Sequence, residues 1–203
     1  MMDNHSAEVT FLNSQLTFKP LTAQTWPDFV LLFEEHGPQQ GCWCMYWRIR
    51  RAECQRQFGE DNKLAFKKIV ESGKVPGILA YIDGQPVGWC SIAPREDFTV
   101  LDRSPTLKRV DYQAVWSVVC FFIAKAYRRR GLTGILILAA IEYAREQGAK
   151  IVEAYPLRTE IVKYLPYERF MGSESTFEQA GFQVVARRSD RRPIMRYYLE
   201  GES

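Results

Sequence analysis

Three consecutive arginines and two glycines crowd into one short turn, "YRRRGLTG", from Tyr127 to Gly134. The stretch before it, "VWSVVCFFIA", is rich in β-branched and aromatic residues, the composition of a buried strand. The stretch after it, "ILILAAIEYAREQGAK", is rich in Ala, Leu and Ile and reaches Gly148, where a helix stops. A helix start carries unpaired N–H groups and about half a positive charge, which together attract an anion. Gly131 and Gly134 remove side-chain bulk, so phosphate oxygens can approach the backbone. Arg128, Arg129 and Arg130 add charge and bidentate hydrogen bonding. All of this suits a diphosphate. The turn alone leaves open a plainer alternative, in which the glycines only permit the bend and the arginines face water. The chain has no G-x-x-x-x-G-K-[ST] and no G-x-G-x-x-G after an early strand, which counts against ATP-type and dinucleotide binding.

The elements that must hold this turn can be laid out along the chain. "LTFKPLT" alternates as a short strand, and Thr25 precedes a helix with Trp26, Phe29, Val30 and Phe33 on one face, ended by Gly37-Pro38. A second helix is predicted from Asp61 to Ser72. "GILAYI" and "VGWCSIA" flank "DGQP" as a hairpin. A polar loop then leads to the strand at 115–124, the basic turn and the long helix. "KIVEAYPL" is the next strand, Ser175 to Glu178 fits a capping box opening a short helix, and "FQVVARR" with "PIMRYYLE" closes the chain as a hairpin. The order β-α-α-β-β-β-α-β-α-β-β predicts an α+β (mixed α/β) single domain over 16–203, with 1–15 as a flexible N-terminal segment.

Composition sets bounds on function. The 203 residues suffice for one domain burying roughly 70% of its unfolded surface. A net charge of +3 is too small to argue for nucleic acid. The N-terminal stretch lacks the pattern of a signal peptide, and apolar runs near ten residues are half of what a membrane span needs, so the expectation is a cytoplasmic protein with no membrane partner. Five cysteines without a disulfide spacing suit a reducing compartment. Cys42 and Cys44 invite a metal, but His5 and His36 offer no paired spacing, so no metal is expected.

The run "FFIAKAYRRRGLTGILILAAIEYAREQGAK" resembles the acetyl-CoA-binding core of the GNAT N-acetyltransferases, where an Arg/Gln-x-x-Gly-x-Gly/Ala turn grips the pyrophosphate. Arg128 and Gly131 fill the first and fourth motif positions; the sixth is Thr133, with Gly134 displaced by one. "TFEQAGF" is similar to a later helix-Gly-Phe stretch of that family, and the element order matches from Leu16 to Leu199. The resemblance implies a mostly antiparallel twisted sheet splayed between the 115–124 and 150–155 strands. It implies that acetyl-CoA lies against the backbone of Phe121, Phe122 and Ile123, with its pyrophosphate held by Arg128 to Gly134, Leu132 included.

Acetyl transfer needs a neutral amine, an oxyanion donor and a proton for the leaving thiolate. Where many relatives carry a Tyr as acid this chain has Phe177, and where some carry a Glu base it has Ser117. Glu153, in an otherwise apolar strand, is a candidate base, set against a plainer reading as the partner of an arginine. Tyr155, two residues on and on the same strand face, is the candidate acid; Tyr164 and Tyr167 are further candidates. Trp43, Tyr46 and Trp47 in "GCWCMYW" are candidate acceptor contacts, or else a cluster sealing helices onto the sheet. Arg187, Arg188, Arg191 and Arg192 read as a solvated hairpin tip. The sequence thus implies an N-acetyltransferase acting on a small-molecule or peptide amine, with a homodimer compatible. The alternative is a silent acyl-CoA-binding sensor.

Overall fold

The computed structural model describes residues 15–36, 41–161, 163 and 166–199. Seven strands form one sheet. They are β1 (Leu16–Pro20), β2 (Gly77–Ile82), β3 (Gln85–Pro94), β4 (Trp116–Ile123), β5 (Ile151–Ala154), β6 (Gln183–Ala186) and β7 (Ile194–Tyr198), in the order β1-β2-β3-β4-β5-β7-β6. All pairings are antiparallel except β4 with β5. The helices are α1 (Trp26–His36), α2 (Arg51–Arg56), α3 (Glu60–Glu71), α4 (Leu132–Glu146) and α5 (Glu174–Gln179). No helix of the described residues is long and apolar enough to cross a membrane.

Strand alternation sends the core to both faces of the sheet. On one face Ile78, Ala80, Cys90, Ile92, Val118 and Val152 pack under the apolar stripe of α4, from Leu132 to Ala144. On the other face Leu79, Tyr81 and Trp89 meet Phe29, Phe33 and Phe66 of α1 and α3. A third cluster joins Val119, Tyr155 and Ile194 to Phe98, Leu101 and Leu107 of the long loop after β3. The α+β reading therefore holds, with the long helix crossing from β4 to its parallel neighbour β5.

Local departures from the expected elements have identifiable causes. Thr25 pins the joint between β1 and α1: its hydroxyl donates to the Pro20 carbonyl (2.8 Å) and accepts from the Thr22 N–H (2.9 Å). The short helix α2 carries no apolar period of its own beyond the buried Cys54, so periodicity could not reveal it. The capping residue of α5 is Ser173, two residues before the expected box; its hydroxyl lies 2.6 Å from Thr176 Oγ1. β5 stops at Ala154 because Leu157 turns to a new partner, its N–H donating to the Gly172 carbonyl. The Gly37-Pro38 stop lies outside the described residues.

The seat of α4 depends on Gly88 of β3. A Cβ there would stand 3.2 Å from Leu136 Cδ1 and 3.3 Å from Ala80 Cβ, so helix and sheet approach as closely as a missing side chain permits. Gly88→Val is expected to overpack this contact and cost about 1–3 kcal/mol, measured as a lower urea midpoint with an unchanged slope.

Candidate active site

β4 is the spine of the site. On one side it pairs with β3 along its whole length, from Trp116↔Pro94 to Ile123↔Gly88. On the other it pairs with β5 only at Trp116↔Val152, Ser117↔Glu153 and Val118↔Ala154. Beyond Val118 the two strands part, leaving the β5-facing edge of Val119 to Ile123, including Phe121, Phe122 and Ile123, without a strand partner among the described residues. The far wall of the wedge is Leu157, bridged in parallel to Ser173 just before α5. An unpaired strand edge inside a protein offers main-chain N–H and C=O groups to a ligand.

The basic turn lies at the open end of this wedge. Gly131 caps α4 in the left-handed conformation (φ 79°, ψ −5°), and Arg129 beside it is also left-handed (φ 61°). That reversal aims the first-turn N–H groups of Leu132 and Thr133 away from the helix body. A Cβ on Gly134 would find only Thr176 Cγ2, at 3.9 Å, so no packing within the protein demands glycine there. Arg128 folds back, its Nε donating to the Ile123 carbonyl (2.7 Å) and its guanidinium lying 5.8 Å from the Phe122 ring. Arg130 lies 5.9 Å from the Tyr127 ring. All three arginines are exposed, and of them Arg128 is tied to the end of β4.

Glu153 and Tyr155 come together at the point where β4 and β5 part, and both are committed to neighbours. Glu153 is 1% exposed; its Oε1 accepts from Arg95 (2.9 Å) and from the Tyr155 hydroxyl (2.6 Å), and its Oε2 accepts from Arg196 Nε (2.8 Å). The Tyr155 hydroxyl also contacts Ser117 Oγ at 2.9 Å and the Arg95 guanidinium. Burial, and then the Glu153 carboxylate, push the Tyr155 phenol well above its ordinary value. Arg95 reaches on to Asp102 (2.8 Å) and the Leu107 carbonyl (2.9 Å), and Arg196 holds Asp111 through both oxygens (2.6 and 3.0 Å). This is the arginine-paired arrangement of Glu153, with two arginines in place of one. Phe177 is fully buried on the opposite face of the sheet, its ring 6.0 Å from that of Phe121 and 4.9 Å from that of Phe182. Tyr164 lies outside the described residues, as does the Tyr167 side chain.

The aromatic trio divides. Trp43 stacks on Phe33 (5.6 Å) in the core beneath α1, in a tight turn where Trp43 and Cys44 both take left-handed φ and Cys44 Sγ accepts from Trp89 Nε1 (3.0 Å). Tyr46 packs at the margin of that same cluster and Trp47 against the third one; the two lie edge to face (5.0 Å), and Tyr46 meets Phe170 (5.8 Å). Trp47, Phe170 and Cys120 of β4 all pack against the third cluster, on the face away from α4. No three His, Cys, Asp or Glu side chains of the described residues are grouped to hold a metal.

A sequence model of the acetyltransferase (GNAT) family matches residues 31–161, most of the chain, including β4, the basic turn, α4 and β5. The chain belongs to the GNAT acetyltransferases. Solved structures agree with this GNAT protein in fold. An N-acetyltransferase from Thermoplasma acidophilum in complex with coenzyme A shares 12% identity, covers 91% of this chain and 99% of its own, and gives a TM-score of 0.51. A GNAT-family acetyltransferase from Streptococcus agalactiae shares 14% identity over 92% and 96% of the two chains, with a TM-score of 0.54. An agmatine N-acetyltransferase variant shares 11% identity over 91% and 100%, with a TM-score of 0.55. No curated protein matches the chain by sequence.

Sequence reasoning missed Arg95 and Arg196, the two cations that neutralise Glu153. Arg95 sits in a polar run, whereas Arg196 is a lone charge in the apolar strand "IMRYY", a signal like that of Glu153; only the register that sets the two opposite each other pairs them. Removing the carboxylate with Glu153→Ala would leave two buried guanidinium groups facing each other. The expected loss is about 3–5 kcal/mol, read from urea unfolding. The outer carboxylates give this GNAT protein an acid limit. Hydrogen bonds from Arg196 hold Asp111 well below the carboxylate range; at Asp102 burial pushes upward, but the bonds and charge of Arg95 and Arg109 prevail and lower it. Both groups are more acidic folded than unfolded. Their contribution is therefore present above the unfolded value near pH 4 (roughly) and lost as pH falls through the folded values. Asp111→Asn should flatten that acid slope in a denaturation series across pH.

Proposed function

We propose that this GNAT protein transfers an acetyl group from acetyl-CoA to a primary amine by direct attack. The observation that carries the reading is the coincidence of two features on one strand: β4 loses its β5 partner after Val118, and the glycine-capped start of α4 follows at its open end. The left-handed Gly131 and the open space beside Gly134 fit a pyrophosphate. The coenzyme A complex of the Thermoplasma acidophilum relative supports the same ligand. Acetyl-CoA would supply the activated thioester. This chain's part is to hold the pyrophosphate at Leu132 and Thr133, align the acyl arm along Val119 to Ile123, and present main-chain N–H groups to the developing oxyanion. The neutral amine forms the new C–N bond, the C–S bond breaks, and the amine's proton leaves as the thiol is restored.

Proton handling in this proposal does not rest on Glu153 or Tyr155. A general base needs a free oxygen and a general acid needs a hydroxyl that can turn to the sulfur, whereas these two face arginines and each other. They are proposed as supports that fix the fork of the wedge, with solvent carrying the proton. Tyr155→Phe is then expected to change the rate by less than about tenfold and leave the pH–rate profile in place, whereas losing a positioned acid costs roughly 10²–10⁴-fold and removes the high-pH limb.

The second reading, an acyl-CoA sensor without turnover, is favoured by Phe177 and Ser117, neither of which can do the proton work expected at its position. One pair of measurements separates the two readings. In calorimetric titration, Gly131→Glu should weaken CoA binding by at least about 3 kcal/mol, the scale of an unpaired buried charge. Thiol release with a panel of amines should exceed thioester hydrolysis for at least one acceptor. Unchanged CoA affinity in folded Gly131→Glu would remove the binding assignment, and tight binding with no turnover would select the sensor.

A further inference from the structure

Of the hairpin arginines, Arg187, Arg188 and Arg191 are exposed as a solvated tip would be, and Arg192 alone departs from that reading. Arg192 turns inward, Nη1 donating to the Tyr155 carbonyl (3.1 Å) and Nη2 to the Glu168 carbonyl (2.9 Å). Tyr155 directly follows Ala154, the last β5 residue paired with β4, so this guanidinium is anchored at the fork of the wedge. It lies 5.8 Å from the Phe170 ring. Phe170 meets Tyr46, and over the Tyr46 ring, at 5.6 Å, stands the guanidinium of Arg51. The two aromatic rings thus each carry an arginine. Beneath them the Trp47 indole N–H is buried without a hydrogen-bond partner among the described residues.

Resting on the acetyltransferase reading, we infer that the acceptor is an amine that also bears a carboxylate, received between Arg192 and Arg51 over the Tyr46–Phe170 pair. Aromatic surfaces in such a place ordinarily suit a cationic ligand, but here the protein's own arginines stand over both rings. A second cation would meet like charge, and two carboxylates on the Arg192 side are paired: Glu168 with Arg191 (2.5 Å), and Glu174 with Arg158 (3.0 Å) and Arg187 (2.5 Å). A guanidinium carries more N–H donors than the two bonds of Arg192 use, and its fork matches a carboxylate. Burial, and then the like charge of Arg191, lower Arg192 to about 10, a cost that an arriving anion relieves. The same positive field disfavours an ammonium, so more of a bound amine is neutral and able to attack.

The test uses product ligands, whose binding does not require turnover. CoA-saturated protein is titrated with N-acetyl-L-phenylalanine and, separately, with its uncharged amide. The carboxylate is expected to bind about tenfold or more tightly than the amide, with the preference falling as salt is raised. Arg51→Gln, at an exposed position, should lose most of that preference. Arg192→Gln should lose it too, and Arg192→Lys should recover part of it. Equal binding of acid and amide, a preference for the amide, or no binding of either would overturn the inference. So would a preference that survives Arg51→Gln and, in folded protein, Arg192→Gln. If CoA binding and thiol release with uncharged or cationic amines persist in any of those cases, the acetyltransferase reading stands and only the anionic acceptor falls. If the acid is preferred but no amine releases thiol, the anionic site stands and turnover falls.

Discussion

Glu153 is the ion around which the β4–β5 fork is organised. Its two oxygens draw Arg95 from the end of β3 and Arg196 from β7 onto one carboxylate, and each arginine brings a further acid with it, Asp102 and Asp111. Two separate segments are fixed to the fork by one side chain, and the acids of the long loop follow through the arginines. Well-packed apolar residues would hold such a place with less desolvation, so the ions are better understood as a constraint on geometry than as a source of stability. They prescribe where β5 lies next to β4, and hence where the two strands must part.

The strands part there for a reason that lies downstream. Leu157 finds its hydrogen bonds at Gly172 and Glu174, and that competing partner draws the chain off the β4 edge. The wedge is thus a result of two pairings that cannot both be extended, with Tyr155 at the point of divergence. Ser117, across from Glu153 in the register, completes the arrangement by hydrogen bonding to the Tyr155 hydroxyl.

Much of this was legible beforehand, and the limits were physical. The hairpin of β2 and β3 could be read because Asp83-Gly84 specifies its turn locally, and α4 because fifteen residues repeat one pattern between glycines. The strand-to-helix turn at Gly131 was readable for the same reason: its residues are contiguous. Tertiary pairings were not. Glu153 stood out as a charge in an apolar strand, yet nothing adjacent identified Arg95 or Arg196 as its partners. The "GCWCMYW" aromatics could not be sorted by type, since only folding buries Trp43 in the core and leaves Tyr46 half-buried at its margin. Arg192 looked like its neighbours Arg187, Arg188 and Arg191 until the backbone carbonyls of Tyr155 and Glu168 claimed it.

The position of β7 has a consequence for how the molecule comes into being. β7 follows every other strand in the chain, yet it lies inside the sheet, between β5 and β6, and it carries Arg196 to Glu153. While the chain emerges in order from its N-terminal end, the strands from β1 to β5 exist with Glu153 facing Arg95 alone and one edge of β5 uncovered. The fork therefore acquires its full set of charges only when the last hairpin docks. A contact spanning that much chain is slow to form, so the half that carries the basic turn can mature before the half that holds the strands apart.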